Sequence, residues 1–213
     1  MRAAVLPTVY GASYRVYVQA LQLTLWAKGV GYNLVEVEAW TEGKQPAHLA
    51  RHPFGRIPAF QHGHVRLYET APTCRYVDEA FEGPALQPSA PSGRASMGQA
   101  ISIMDNYAYR TLVWGLYVEQ VEGPRRGRRP DPVRLDASRR EAPVCLAALE
   151  AISPEGEWLS GDTFSLADLH AAPMFRLFAE APEYDELMSS HPRLLKWFDR
   201  IKTATRPAGL FER

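Results

Sequence analysis

A proline stands at position 58 of the stretch "RHPFGRIPAF", Arg51 to Phe60, between Ile57 and the apolar pair Ala59 and Phe60, where the pattern otherwise reads as a strand. Proline has no N–H to give to a sheet ladder, so it is confined to edges, bulges and strand starts, and X–Pro bonds are the ones that adopt the cis form. Any fold for this chain must therefore place Pro58 at a sheet margin and find a use for the backbone groups beside it.

Upstream, "RAAVLPTV" reads as a short strand. "SYRVYVQALQLTLWAKG" reads as a helix, with Leu21, Thr24, Leu25 and Lys28 at steps of three and four and a stop at Gly29. "YNLVEVE" is a second strand, and a short helix is expected around Pro46 to Arg51. "IPAFQHGHVRLYE" alternates about His62-Gly63 as a hairpin does, and "TAPTCRYVDEAF" follows as a helix stopped by Gly83-Pro84. The order β, α, β, short α, β, β, α is that of the thioredoxin-like fold, in which a crossover helix lets two strands run parallel.

The texture changes at "EGPALQPSAPSGR", which is rich in proline and glycine and lacks apolar periodicity. The expected organisation is a thioredoxin-like α/β domain over 1–83, a linker over 84–93 and an all-α domain over 94–213. The helices expected there run from Arg94 to Glu122, from Pro132 to Ile152, from Ser165 onward and from Pro192 to Thr205. The basic loop "PRRGRRPDP" between the first two reads as a solvated connection, because the formal net charge of the whole is zero. That balance also argues against a nucleic-acid partner or an acidic membrane surface. Cys74 and Cys145 match no redox or zinc-ligand spacing, so no metal is expected and both read as small buried hydrophobes. No apolar run approaches a membrane span and no signal pattern opens the chain, so a cytoplasmic protein is expected.

In "GDTFSLADLHAAPMF", Ser165 is suited to cap a helix and Asp168 to return the hydrogen bond of a capping box, with Phe164 and Leu169 as a hydrophobic staple. This pattern is folding chemistry and is assigned no catalytic role.

"HPFGRIPAF", then "LYET" opening a helix, then a linker and a helical half with "GDTFSLADLH", together resemble the bacterial glutathione S-transferases over essentially the whole chain. The resemblance implies a cis Ile57-Pro58 bond that turns the Ile57 N–H and C=O toward glutathione, which docks like an added strand segment. It implies that Glu69 accepts the γ-glutamyl ammonium, and that the Thr70 hydroxyl and helix N-terminal amides receive the γ-glutamyl carboxylate. Thr70 stands where most relatives carry serine and is expected to keep the capping role. Arg56, and less directly Lys44, are similar to the basic residues that reach the glycyl carboxylate.

The resemblance further implies a glutathione thiol activated at the N-terminus of the first helix beside a hydroxyl donor. Counting back from "AKG" at 27–29, the place of the expected serine falls on Arg15. The candidates for activation are then Arg15, Tyr17, Ser13 and Tyr14, with Tyr10 behind them. Tyr107, Arg110 and Trp114, at i, i+3 and i+7, are expected to share one helix face and to form the site for a hydrophobic electrophile, though the same stripe suits an ordinary helix core. The implied function is a homodimeric glutathione transferase of detoxification type, with glutathione as co-substrate. A glutathione-dependent isomerase, dehalogenase or disulfide reductase, or a non-catalytic binding protein on the same scaffold, are the alternatives.

Overall fold

The computed structural model describes residues 5–39, 41–42, 44–153 and 155–210. Chain contacts divide it into two units, Met1–Ala85 and Leu86–Arg213.

In the first unit the strands are β1 (Thr8–Tyr10), β2 (Asn33–Val35), β3 (Ala59–His62) and β4 (Val65–Tyr68). They form one sheet in the order β2-β1-β3-β4, with β1 parallel to β2 and the other pairs antiparallel. The helices are α1 (Val16–Ala27), α2 (Pro46–Leu49) and α3 (Thr70–Ala80). Helix α1 crosses over between the two parallel strands and packs against α3, burying Val18, Leu21 and Leu25 completely, with Thr73, Cys74 and Val77 buried on the α3 side. Lys28, one residue past α1, lies beside Asp78 of α3 at 3.1 Å and also donates to the Pro84 carbonyl at 2.9 Å.

Several boundaries differ from those read in the sequence. The first strand begins only at Thr8, after Pro7, and residues 2–4 of the expected strand lie outside the described residues. The hairpin turns at Gly63-His64, one residue later than expected, because His62 stays in β3 and pairs with Val65. Gly63 there takes φ 59°, a left-handed conformation that glycine adopts without steric cost.

In the second unit, α4 (Pro91–Ile103) begins three residues inside the expected linker. Pro91 sits in the first turn, where a missing N–H leaves no hydrogen bond broken, so the proline starts the helix instead of excluding it. The chain then continues as a π-helical segment, Met104–Glu122, and a last α-turn, α5 (Gly123–Arg125). The remaining helices are α6 (Pro132–Ile152), α7 (Leu166–Phe178), α8 (Tyr184–Ser189) and α9 (Pro192–Ala204), closed by a 3-10 turn at Arg206–Ala208. Of these α8 is absent from the sequence reading. Helix α7 is the core element: Leu169, Ala171, Ala172, Met174, Phe175 and Phe178 are fully buried against neighbours that include Trp197 and Phe198 of α9.

The capping box of α7 is formed. Asp168 Oδ2 accepts from the Ser165 N–H at 2.8 Å, and Ser165 Oγ accepts from the Ala167 N–H at 3.3 Å. Asp168 does more than the local pattern shows. It is fully buried and its Oδ1 also accepts from the Leu159 N–H at 2.9 Å and from Trp197 Nε1 at 2.8 Å, tying three segments together. Burial pushes its carboxyl above the usual carboxylate range, against the pull of these donors. Cys74 and Cys145 are both buried, and burial pushes the Cys145 thiol up.

Candidate functional site

The register of the sheet brings three chain segments to one end of the first unit. Tyr10 at the end of β1 pairs with Ala59 at the start of β3, and Ala59 pairs with Tyr68 at the end of β4. The residues just beyond these pairs are Gly11 to Arg15, Ile57-Pro58 and Glu69-Thr70. Both α1 and α3 open at this same sheet end, so two helix N-termini flank it, each leaving first-turn amides without helical partners.

The Ile57-Pro58 bond is cis. Pro58 is buried and Ile57 half-buried, and the antiparallel ladder starts only at Ala59. Among the described residues neither backbone group of Ile57 has a hydrogen-bond partner. An unpaired N–H and C=O at a sheet margin are the groups with which a strand-like ligand extends a sheet.

Glu69 links β4 to α3 at φ 69° and ψ 125°. A non-glycine residue held there costs about 1–3 kcal/mol, the kind of strain that clusters at ligand sites. The Glu69 side chain is exposed and has no partner among the described residues, while its carbonyl accepts from Thr73 Oγ1 at 2.7 Å and from the Thr73 N–H at 3.2 Å. Thr70 does not cap the helix as expected. The N-cap is Glu69, without a side-chain capping bond, and Thr70 is the buried first residue of α3. Its hydroxyl is therefore not engaged in closing the helix start.

At the α1 end, Arg15 is the N-cap and its side chain makes no capping bond. Glu38 draws two of the four candidate activators to itself: Tyr14 donates its phenol to Glu38 Oε1, and Arg15 lies 3.8 Å from Glu38 Oε2. Burial, then the bond to Glu38, pushes the Tyr14 phenol above its ordinary value, the opposite of what an acidic hydrogen-bond donor needs. Ser13 is half-buried, its N–H faces Glu36 Oε2 at 3.4 Å, and its hydroxyl has no partner among the described residues. Tyr17 is half-buried in the first helical turn. Among the four candidates Ser13 thus has a hydroxyl that no described residue engages.

Arg56 and Lys44 both have exposed side chains, Lys44 in the turn before α2. The Arg56 carbonyl accepts from His48 Nε2 at 2.7 Å, a contact that no pattern along the chain singles out.

Of Tyr107, Arg110 and Trp114, the first two line one groove and Trp114 does not. Their segment is π-helical, closing i to i+5 bonds, so the spacing of three and seven that aligns side chains on an α-helix no longer does. Tyr107, 62 % exposed, and Arg110 line a groove of about 560 Å³ against Val133, Ala137 and Glu141 of α6, while Trp114 is half-buried outside it. In the basic loop, Arg125 pairs with Glu180 at 3.0 Å and Arg126 with Glu122 at 2.6 Å, on the surface. Among the described residues no cluster of three or more potential metal ligands occurs, and no helix is long and apolar enough to cross a membrane.

A thioredoxin-like sheet with a cis-proline margin, followed by a separate helical unit, defines the fold class of the glutathione transferases. Residues 7–79 match the family model for the glutathione S-transferase N-terminal domain, and residues 132–200 match that for the C-terminal domain. Glutathione S-transferase F14 of Arabidopsis thaliana is 30% identical over 190 residues, 86% of this chain and 73% of that protein. Glutathione transferase F7 from Populus trichocarpa superposes with a TM-score of 0.82 at 26% identity, over 97% of this chain and 96% of that one. The theta class glutathione S-transferase from the citrus canker pathogen Xanthomonas axonopodis pv. citri, solved with glutathione bound, gives 0.76 at 26% identity over 93% of each chain. The chain belongs to the glutathione S-transferase family. Its likeness extends to plant enzymes as well as a bacterial one, so the resemblance is to the family at large and not to its bacterial members in particular.

Proposed function

We propose that this protein binds glutathione at the sheet end formed by Ile57, Glu69 and Thr70 and transfers an electrophilic alkyl or aryl group to its thiol. The observation that carries the reading is the unpartnered Ile57 backbone pair beside a strained, exposed Glu69. The cysteinyl backbone of glutathione extends the sheet at Ile57 as an antiparallel segment. Glu69 accepts the γ-glutamyl ammonium, while the Thr70 hydroxyl and the first amides of α3 hold the γ-glutamyl carboxylate. Arg56 and Lys44 supply positive charge for the glycyl carboxylate.

Ser13 donates its hydroxyl to the sulfur, and the N-terminus of α1 adds its dipole, so the thiolate is favoured over the thiol. Arg15 and Tyr14, engaged by Glu38, shape the rim of this region, and Tyr17 borders it from the first helical turn. The thiolate attacks the electrophilic carbon, a sulfur–carbon bond forms, and the leaving group departs with its electron pair. Tyr107 and Arg110 remain the candidates for contact with the hydrophobic acceptor, and Trp114 is the weakest of the three. A homodimer in the cytoplasm, needing no metal, completes the reading, which draws on family membership and on the surface chemistry described above. A disulfide reductase is disfavoured, because the two cysteines are both buried and neither lies near residues 10–17.

Calorimetric titration with glutathione tests the site. Glu69→Ala removes a charge-assisted hydrogen bond of about 1.5–3 kcal/mol and is expected to weaken binding roughly 10- to 100-fold. Unchanged affinity in that variant contradicts the site.

A further inference from the structure

His48 lies in α2, is 3 % exposed, and takes no part in the chemistry described so far. A buried imidazole is a costly choice for a packing residue, because each ring nitrogen needs a partner. Only one has it. Nε2 faces the Arg56 carbonyl at 2.7 Å, so Nε2 carries the proton and donates, and Nδ1 is buried with no partner among the described residues. A leucine would fill the space without burying that lone pair. The one interaction distinguishing histidine from an apolar residue is therefore the bond to the Arg56 oxygen.

That oxygen belongs to the same peptide group as the Ile57 N–H. The Arg56-Ile57 bond is trans, and in a planar trans peptide the C=O and N–H point in opposite directions. Holding the carbonyl on His48 fixes the N–H on the other side of the plane, where it has no partner within the described chain. The rest of the segment restrains the same plane. The His52 carbonyl accepts from the Gly55 N–H at 2.9 Å, and Gly55 takes φ 63°, closing a tight turn just before Arg56. His52, 2 % exposed, packs 6.4 Å from the His48 ring and 5.0 Å from that of Tyr68, walling the imidazole in.

We infer that His48 is a positioning residue for glutathione recognition: its Nε2–H holds the Arg56 carbonyl and thereby aims the Ile57 N–H at the ligand. The inference rests on the docking of glutathione at Ile57 proposed above. Without the imidazole the 56–57 peptide plane loses the hydrogen bond on its carbonyl, and the ligand must restore its orientation on binding.

The test uses the full chain with His48→Leu, which removes the donor, and His48→Gln, whose amide keeps one. Affinity for S-methylglutathione, KM for glutathione, KM for an aryl-halide acceptor and the thermal midpoint are measured for each. The expected result is an about tenfold weaker affinity and a matching rise in KM for glutathione in His48→Leu, with acceptor KM unchanged and affinity largely recovered in His48→Gln. A His48→Leu variant that melts earlier yet binds as tightly as the unaltered protein overturns the positioning role, as does a His48→Gln variant no better than His48→Leu. If His48→Leu does not fold, nitrogen-labelled histidine spectra of the unaltered protein decide: the Nε2–H tautomer of His48 supports the inference and the Nδ1–H tautomer overturns it. No binding of glutathione by the unaltered protein overturns the docking reading itself, whereas binding that His48→Leu leaves intact overturns only the role of His48.

Discussion

Gly11 stands where β1 ends, beside the first turn of α1 and the Ile57-Pro58 margin, and a single methyl group there is expected to disturb all three. A Cβ on Gly11 would lie 2.6 Å from Val18 Cγ2, 3.3 Å from Ile57 Cβ and 3.6 Å from Pro58 Cα. Carbon atoms rest at about 3.5–4.0 Å, so Val18 must retreat by roughly 1 Å. It has nowhere to go, since Val18 is 0 % exposed, and the displacement passes to the start of α1 or to Ile57. Overpacking of this kind costs about 1–3 kcal/mol, and a misplacement near 1 Å at a reacting site costs up to about 100-fold in rate. Gly11→Ala should therefore lower stability in a denaturant titration and reduce conjugation rate at saturating acceptor. Removing the obstructing methyl groups provides the control. The Gly11→Ala, Val18→Ala double variant should recover stability relative to the sum of the singles by about 1 kcal/mol, a coupling expected only of residues in contact. Strict additivity, or a Gly11→Ala variant indistinguishable from the unaltered protein in both assays, would refute the reasoning.

Lys28→Met should destabilise the protein by about 3–5 kcal/mol, since it removes the cation 3.1 Å from the buried Asp78 carboxylate, and Lys28→Met with Asp78→Leu should recover part of that loss in the same titration. His52 is pushed down to about 4 from an ordinary 6.5, first by burial and then by His48 and Arg56, so the native state keeps it neutral while the unfolded chain takes up the proton. That contribution is complete above pH 6.5 and is lost as pH falls through about 4, amounting to about 3 kcal/mol; His52→Asn should flatten this part of the stability profile, and parallel profiles would contradict it. A Cβ on Gly115 would stand 1.7 Å from Ser138 Oγ, so Gly115→Ala should destabilise the helical unit by at least about 1–3 kcal/mol, and adding Ser138→Gly should relieve it.

What the sequence disclosed was mostly what depends on neighbours along the chain. The Ser165 and Asp168 capping box is a pattern of three residues' span, and it is present as read. The further bonds of Asp168 to Leu159 and Trp197 were invisible, because they join segments that only tertiary packing brings together. The proline at 58 and the helix opening at Glu69-Thr70 were legible as a pair, because the hairpin between them fixes their register. The thiol-activating residue was sought by counting back along α1, which led to Arg15. Counting cannot show that Glu38, from the other side of the crossover, engages both Arg15 and Tyr14, while the Ser13 hydroxyl has no partner among the described residues. Trp114 falls outside the groove lined by Tyr107 and Arg110 for a different reason: a period of 3.6 was assumed where the backbone is π-helical.

Glutathione held at Ile57 and Glu69 is expected to have its thiol ionised beside Ser13. Titration of the thiolate absorbance of bound glutathione tests it most directly. The expected result is a bound thiol that ionises well below about 8.5, the value of a free thiol, a return of about 1–2 units toward that value in Ser13→Ala, and little change in Glu69→Ala at saturating glutathione. A bound thiol that titrates in the unaltered protein as it does in free glutathione would contradict it.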